Sequence, residues 1–65
     1  MHILVNGASR DIRAADLAAA LEELGYGGAV IATAVNGEFV AAAERPGAQL
    51  ADGDRLEVLA PMQGG

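Results

Sequence analysis

Asp52-Gly53-Asp54-Arg55-Leu56-Glu57-Val58-Leu59-Ala60-Pro61-Met62-Gln63-Gly64-Gly65 is the stretch on which the fold turns. Asp and Gly tolerate left-handed backbone angles, so Asp52-Gly53-Asp54 predicts a chain reversal into a strand. From Arg55 to Ala60 the residues alternate. Leu56, Val58 and Ala60 point one way and Arg55, Glu57 and Leu59 the other, the pattern of a sheet with one buried face. Pro61 lacks an N–H for the ladder, so regular pairing should fail there and release 61–65 as a flexible tail. Gly64 and Gly65 carry no Cβ, which leaves the terminal carboxylate unshielded and able to enter a narrow channel in another protein.

A terminal Gly-Gly alone is ordinary for a frayed end. With nine glycines in the chain, the pair arises by chance in roughly one such sequence in fifty. Joined to a turn and an alternating strand, it says more. The combination resembles the ubiquitin-like sulfur carriers of the ThiS/MoaD family, and most closely their thiamin-pathway (ThiS) branch. Leu50, Asp52-Gly53-Asp54, Leu56 to Leu59 and Gly64-Gly65 carry the resemblance, with Ala34-Val35-Asn36-Gly37-Glu38-Phe39-Val40 as a second match to the family's central hairpin. It therefore spans the whole chain. It implies an α+β fold of the β-grasp (ubiquitin-like) type, a mixed sheet of four to five strands on one helix.

It also implies a chemistry centred on Gly65. A carboxylate is a poor electrophile, since its charge is shared over two oxygens. An adenylyltransferase (ThiF-like), using ATP and Mg²⁺, would convert it to an acyl-adenylate. A persulfide sulfur donor would then turn that into a thiocarboxylate for a thiazole synthase (ThiG-like). On this reading the chain is a co-substrate and not an enzyme, binds no cofactor itself, and needs no catalytic residue. Gly64, Gln63 and Met62 would be recognised with the tail, and Leu4 and Leu59 would form a docking face on the exposed side of the sheet. The small subunit of molybdopterin synthase shares the implied fold and chemistry, but its members are usually longer. A ubiquitin-like protein modifier and an inert binding domain are the other readings. Co-purification with thiazole synthase or with the large molybdopterin synthase subunit separates the first two.

Composition bounds the rest. Sixty-five residues make one small domain, and 52% are apolar. Fifteen of these are alanine, and Tyr26 and Phe39 are the only aromatics. Such a core leans on regular structure and short loops. There is no cysteine, which removes disulfides, zinc–thiolate sites and thiol nucleophiles. A net charge of −5 with four arginines and no lysine is a poor match to nucleic-acid phosphates and a better one to basic protein surfaces. No signal-like segment and no membrane-length apolar run is present, so a cytoplasmic location is expected.

In chain order, Met1 to Val5 predicts a strand with Met1, Ile3 and Val5 inward. Asn6-Gly7 is the favoured hairpin dipeptide, and a second strand follows over Ala8 to Ile12. Asp16 is an N-cap candidate for a helix to about Leu24, with Leu17, Ala20, Leu21 and Leu24 on one stripe and Gly25 as its left-handed stop. Tyr26-Gly27-Gly28 is a connector. Ala29 to Val35, nearly all apolar, predicts a strand buried in the sheet. Asn36-Gly37 turns it into Glu38 to Val40, and Ala41 to Ala51 reads as a loop with one 3₁₀ turn.

Two polar groupings are weighed and set aside. His2 and Ser9 are the material of a catalytic triad, but on a small hairpin they face solvent with no pocket between them. Asp52 and Asp54 lack the further oxygens of a calcium loop, and their glycine neighbour favours the turn.

Overall fold

The computed structural model describes residues 1–60. The sequence-based expectations for Pro61, Met62, Gln63, Gly64 and Gly65, including the flexible tail, lie outside the described residues.

Five strands form one sheet: β1 (His2–Val5), β2 (Ala8–Asp11), β3 (Ala32–Val35), β4 (Glu38–Val40) and β5 (Arg55–Leu59). The order across the sheet is β2-β1-β5-β3-β4. The first and last strands are central neighbours and run parallel, and the other pairings are antiparallel. One helix, α1 (Leu17–Glu23), covers one face. This is the mixed sheet and single helix of the β-grasp arrangement.

Local chemistry sets each element. Asn6 and Gly7 take φ of 50° and 86°, and Asn36 and Gly37 take 51° and 86°. Both central residues of a type I′ turn need positive φ, and Asn and Gly reach it most cheaply. Each turn then fixes its hairpin register, Val5 opposite Ala8 and Val35 opposite Glu38. At α1, the Asp16 carboxylate accepts the Ala19 N–H at 2.8 Å, satisfying a helix-end donor. At the other end, the Tyr26 N–H donates to the Leu21 carbonyl and the Gly25 N–H to Glu22. That is a complete Schellman motif with Gly25 as its left-handed residue.

The core lies between α1 and the sheet. Ile3 and Val5 from β1, Leu56 and Val58 from β5, Leu17, Ala20 and Leu21 from α1, and Ile12 and Leu50 from the connections are all buried. Met1 and Leu24 pack against them part-buried. Glu23 folds back from the end of α1, and its carboxylate accepts the N–H groups of Arg13 and Ala14 at 3.0 Å, which ties the loop into the helix to the helix itself.

Three expectations are corrected. The buried strand read over Ala29 to Val35 is shorter and one-sided: β3 begins at Ala32, and Val30 is 80% exposed. The helix covers only one face, so an apolar run there cannot be buried on both sides. The single buried position inside β3 is instead Thr33. Second, Ala60 falls outside β5 and is exposed, because no strand lies opposite it. Third, Ala41 to Ala51 holds a six-residue 3₁₀ helix, Ala42–Gly47, longer than one turn.

Arg45 explains that element's persistence. Its guanidinium donates to Thr33 Oγ1 at 3.1 Å and to the Ile31 carbonyl at 2.8 Å, while Thr33 donates to the Val40 carbonyl at 2.8 Å. The 3₁₀ helix is thus bolted to β3 and β4 by polar bonds where apolar burial is slight. Leu50 then returns to the core, with its N–H bonded to the Ala15 carbonyl.

Candidate functional site

The site is built around the end of β5 and the sheet face opposite the helix. Pairing partners in adjacent strands share a face. Leu4 pairs with Arg55, Ala34 with Glu57 and with Phe39, and Ala32 with Leu59. The open face therefore carries Leu4, Arg55, Glu57, Leu59, Ala32, Ala34 and Phe39 together. Phe39 is 71% exposed, Leu59 69% and Leu4 37%.

Both residues read from the sequence as a docking face do lie on this side, but the structure does not bring them together. Leu4 sits beside Arg55, and Leu59 lies four residues farther along the same strand, about 13 Å at strand rise. Arg55 and Glu57 stand between them. The companions of Leu59 are Phe39, Ala32 and Ala34, which with Asn6 and Glu57 line a shallow hollow of about 170 Å³. A second hollow of about 340 Å³ adjoins it, lined by Val30, Ile31, Ala32, Leu59 and Ala60. The apolar strip thus runs from Phe39 to Ala60, the residue from which the chain continues to 61–65. A larger hollow, about 380 Å³, lies at the Leu4 end among Gly7, Gly37, Arg55 and Glu57, away from that exit.

Phe39, Ala32 and Ala34 are the site residues that sequence reading missed. The signal was present: a two-residue Asn36-Gly37 turn sets Ala34 opposite Phe39, and Ala34 and Leu59 share the face turned from the core. Two aromatics in a small chain invite assignment to the core, and Phe39 is not there.

The polar candidates fall into place as architecture. His2 Nδ1 lies 3.8 Å from Asp11 Oδ1 on the cross-strand partner, and Ser9 stands opposite Leu4. Asp52 accepts the His2 N–H at 2.7 Å, and Asp54 accepts the Ala51 N–H at 2.8 Å and the Asn36 amide at 3.0 Å. Both carboxylates are taken up by the turn into β5. The Asn36 amide first, and the Ala51 N–H second, hold the Asp54 carboxyl below the ordinary carboxylate range. Among the described residues no cluster of three or more His, Asp or Glu side chains is placed to hold a metal ion. No described helix is long and apolar enough to cross a membrane.

With this geometry in view, a model of the ThiS family matches residues 3–65. The chain belongs to the ThiS family. ThiS proteins are small sulfur carriers, generally not enzymes, that work with partner enzymes of thiamine biosynthesis. Among solved structures, the crystal structure of the thiamine biosynthesis protein ThiS from Geobacter metallireducens superposes with a TM-score of 0.83 at 28% identity, covering 100% of both chains. No curated protein matches. The family match extends beyond the described residues into Gly64-Gly65, so the ThiS pattern covers the sheet, the exposed strip and the terminal diglycine alike.

Proposed function

We propose that this ThiS-family chain carries sulfur as a thiocarboxylate on Gly65 for thiazole formation. A ThiF-like adenylyltransferase joins the Gly65 carboxylate to the α-phosphate of ATP, with Mg²⁺ on the phosphates and pyrophosphate leaving. The terminal sulfur of a persulfide displaces AMP, and a thiol cleaves the resulting S–S bond to leave –COS⁻. That group is a nucleophile which a ThiG-like thiazole synthase consumes. Gly64, Gln63 and Met62 are read in the partner's channel. Leu59, with Phe39 beside it, seats the domain on the partner, and Leu4 contributes only where a partner reaches the far end of the face.

What supports this reading is the family match running through residue 65 from a β-grasp domain. The exposed apolar strip ends at Ala60, so a partner covering it lies within a few residues of the reacting carboxylate. The net charge of −5 favours a basic rim around that partner's pocket.

The intact mass of the chain isolated from its native host tests the reading. A fraction heavier by one oxygen-to-sulfur exchange is the expected result. In vitro, deleting Gly65 should abolish ATP–pyrophosphate exchange with the activating enzyme, since a carboxylate displaced by one residue no longer meets the α-phosphate. The melting temperature should hardly move. Normal exchange by the shortened chain overturns the proposal.

A further inference from the structure

The side chain of Asn6 makes bonds that its turn does not require. Its Nδ2 donates to the Val58 carbonyl at 3.1 Å, and the Val58 N–H donates to its Oδ1 at 2.8 Å. The backbone shows why the pair is needed. The Leu4 N–H donates to the Asp54 carbonyl and the Asn6 N–H to Leu56, so the even-numbered residues of β5 face β1. The Asn36 N–H donates to the Arg55 carbonyl, so the odd-numbered ones face β3. This alternation carries along the strand. Val58 therefore points towards β1, but β1 ends at Val5, whose partner is Leu56. The Asn6 amide stands in for backbone that has already turned away. Among the described residues it is the last link from that side before the chain runs on to 61–65. On the other side the end of β5 lies along β3, with Val58 opposite Thr33 and Leu59 opposite Ala32.

We infer that Asn6 is a positioning residue for the acyl transfer proposed above: its amide pins Val58 in the sheet and so fixes the end of β5 and the exposed strip beside it. The reaction part rests on the sulfur-carrier reading, and the pinning does not. Few residues meet both demands of the position. The turn needs φ near 50°, which Asn tolerates and most side chains do not. Val58 needs a donor and an acceptor together, which an amide supplies and a carboxylate does not. Asn6 also lines the hollow beside Phe39 and Leu59, so the same bonds steady the docking strip. With the pin removed, the root of the tail is held from one side only. The strip of Phe39 and Leu59 that seats the domain on its partner is then less firmly held, a loss that falls on docking and so on kcat/KM for the carrier.

Asn6→Gly and Asn6→Asp in the full chain test this. Glycine keeps the type I′ turn and removes both bonds, whereas aspartate keeps the acceptor only. Two readouts apply: amide hydrogen exchange by NMR, and adenylation kinetics with the ThiF-like enzyme. For Asn6→Gly the Val58 amide should exchange faster while Ile3 and Leu17 keep their protection. kcat/KM for the carrier should fall about ten-fold with the KM for ATP unchanged. Asn6→Asp keeps the acceptor for the Val58 N–H and loses only the bond to the Val58 carbonyl, so it should keep more of the Val58 protection. If the glycine variant does not fold, the aspartate variant decides by kcat/KM, which should still fall, and an unchanged value overturns the inference. Unchanged exchange at Val58 in a folded Asn6→Gly chain overturns the inference. So does uniformly faster exchange through the core with kcat/KM intact, which would make Asn6 a stabilising residue only. If the unaltered chain is not adenylated at all, the carrier reading fails, and the exchange experiment still decides whether Asn6 holds Val58.

Discussion

The two faces of β5 are made by the same five residues and meet different surroundings. Leu56 and Val58 press against α1 and are buried, while Arg55, Glu57 and Leu59 look out from the uncovered side. Apolar side chains occur on both faces, so hydrophobicity alone does not separate them. Cover does. A leucine under the helix has its stabilisation already realised in the folded state. The leucine at the strip has yet to lose its water, and that free energy is available to a partner. One face should therefore report on stability and the other on association.

Leu56→Ala is the sharpest way to test that division. A fully buried leucine reduced to alanine costs about 2–5 kcal/mol. A chain of this size has roughly 3–10 kcal/mol in all. Denaturant unfolding should show the midpoint collapse, and an unchanged midpoint would place Leu56 on the wrong face. Thr33→Val probes the closed face at its polar point. The substitution keeps the shape but leaves the Val40 carbonyl and the Arg45 Nε without their partner, at about 1–3 kcal/mol. Chemical denaturation again gives the number, and a neutral result would mean that Arg45 and Val40 find other partners.

On the open face the expectation reverses. Leu59→Asp and Phe39→Ala should each shift stability by no more than about 0.5 kcal/mol. Each should weaken binding to the activating enzyme by more than about 1 kcal/mol, the level that marks an anchor residue. Calorimetric titration beside a thermal melt reads both, and a large melt shift for Leu59→Asp would put that residue in the core.

Asp54→Asn gives the smallest effect and adds a pH dimension. The folded-state pKa of Asp54 is lowered, so the ionised carboxylate contributes stability that is present above the ordinary value. It is lost as the pH falls from about 4 through the folded value. Replacing it should lower stability slightly at neutral pH, with the gap to the unaltered chain closing on acidification. A constant gap in urea melts at several pH values would mean that the charge plays no part.

Much of this division was legible in the chain, for definite reasons. Asn-Gly turns, the Asp16 cap, the Gly25 stop and the alternation of β5 from Arg55 to Leu59 depend on neighbouring residues alone, and they appear as read, with Ala60 the one position of that alternation that does not. The length of β3 depended on what covers each side of the sheet, a property of the assembled molecule. The 3₁₀ helix depends on Arg45 reaching Thr33 and Ile31 across the fold, which no local pattern announces. The site was half legible for the same reason. Leu59 followed from alternation within its own strand. Phe39 needed the register of two strands at once, and the separation of Leu4 from Leu59 needed the parallel pairing of β1 with β5.

That parallel pairing also bears on how the chain acquires its shape. β1 lies against β5, and the turn before β5 is tied to the start of β1, where the His2 N–H meets Asp52 at a sequence separation of 50. The two hairpins and α1 can form early from contacts close in sequence, but neither has a finished sheet edge until β5 slides between β1 and β3. Closing so long a loop sets a slow step relative to local structure. A nascent chain lacking β5 holds two unjoined pairs of strands with open edges, and a truncation ending before Leu56 should populate that state permanently. The strand that joins the two hairpins into one sheet is also the one that leads on in sequence to the diglycine.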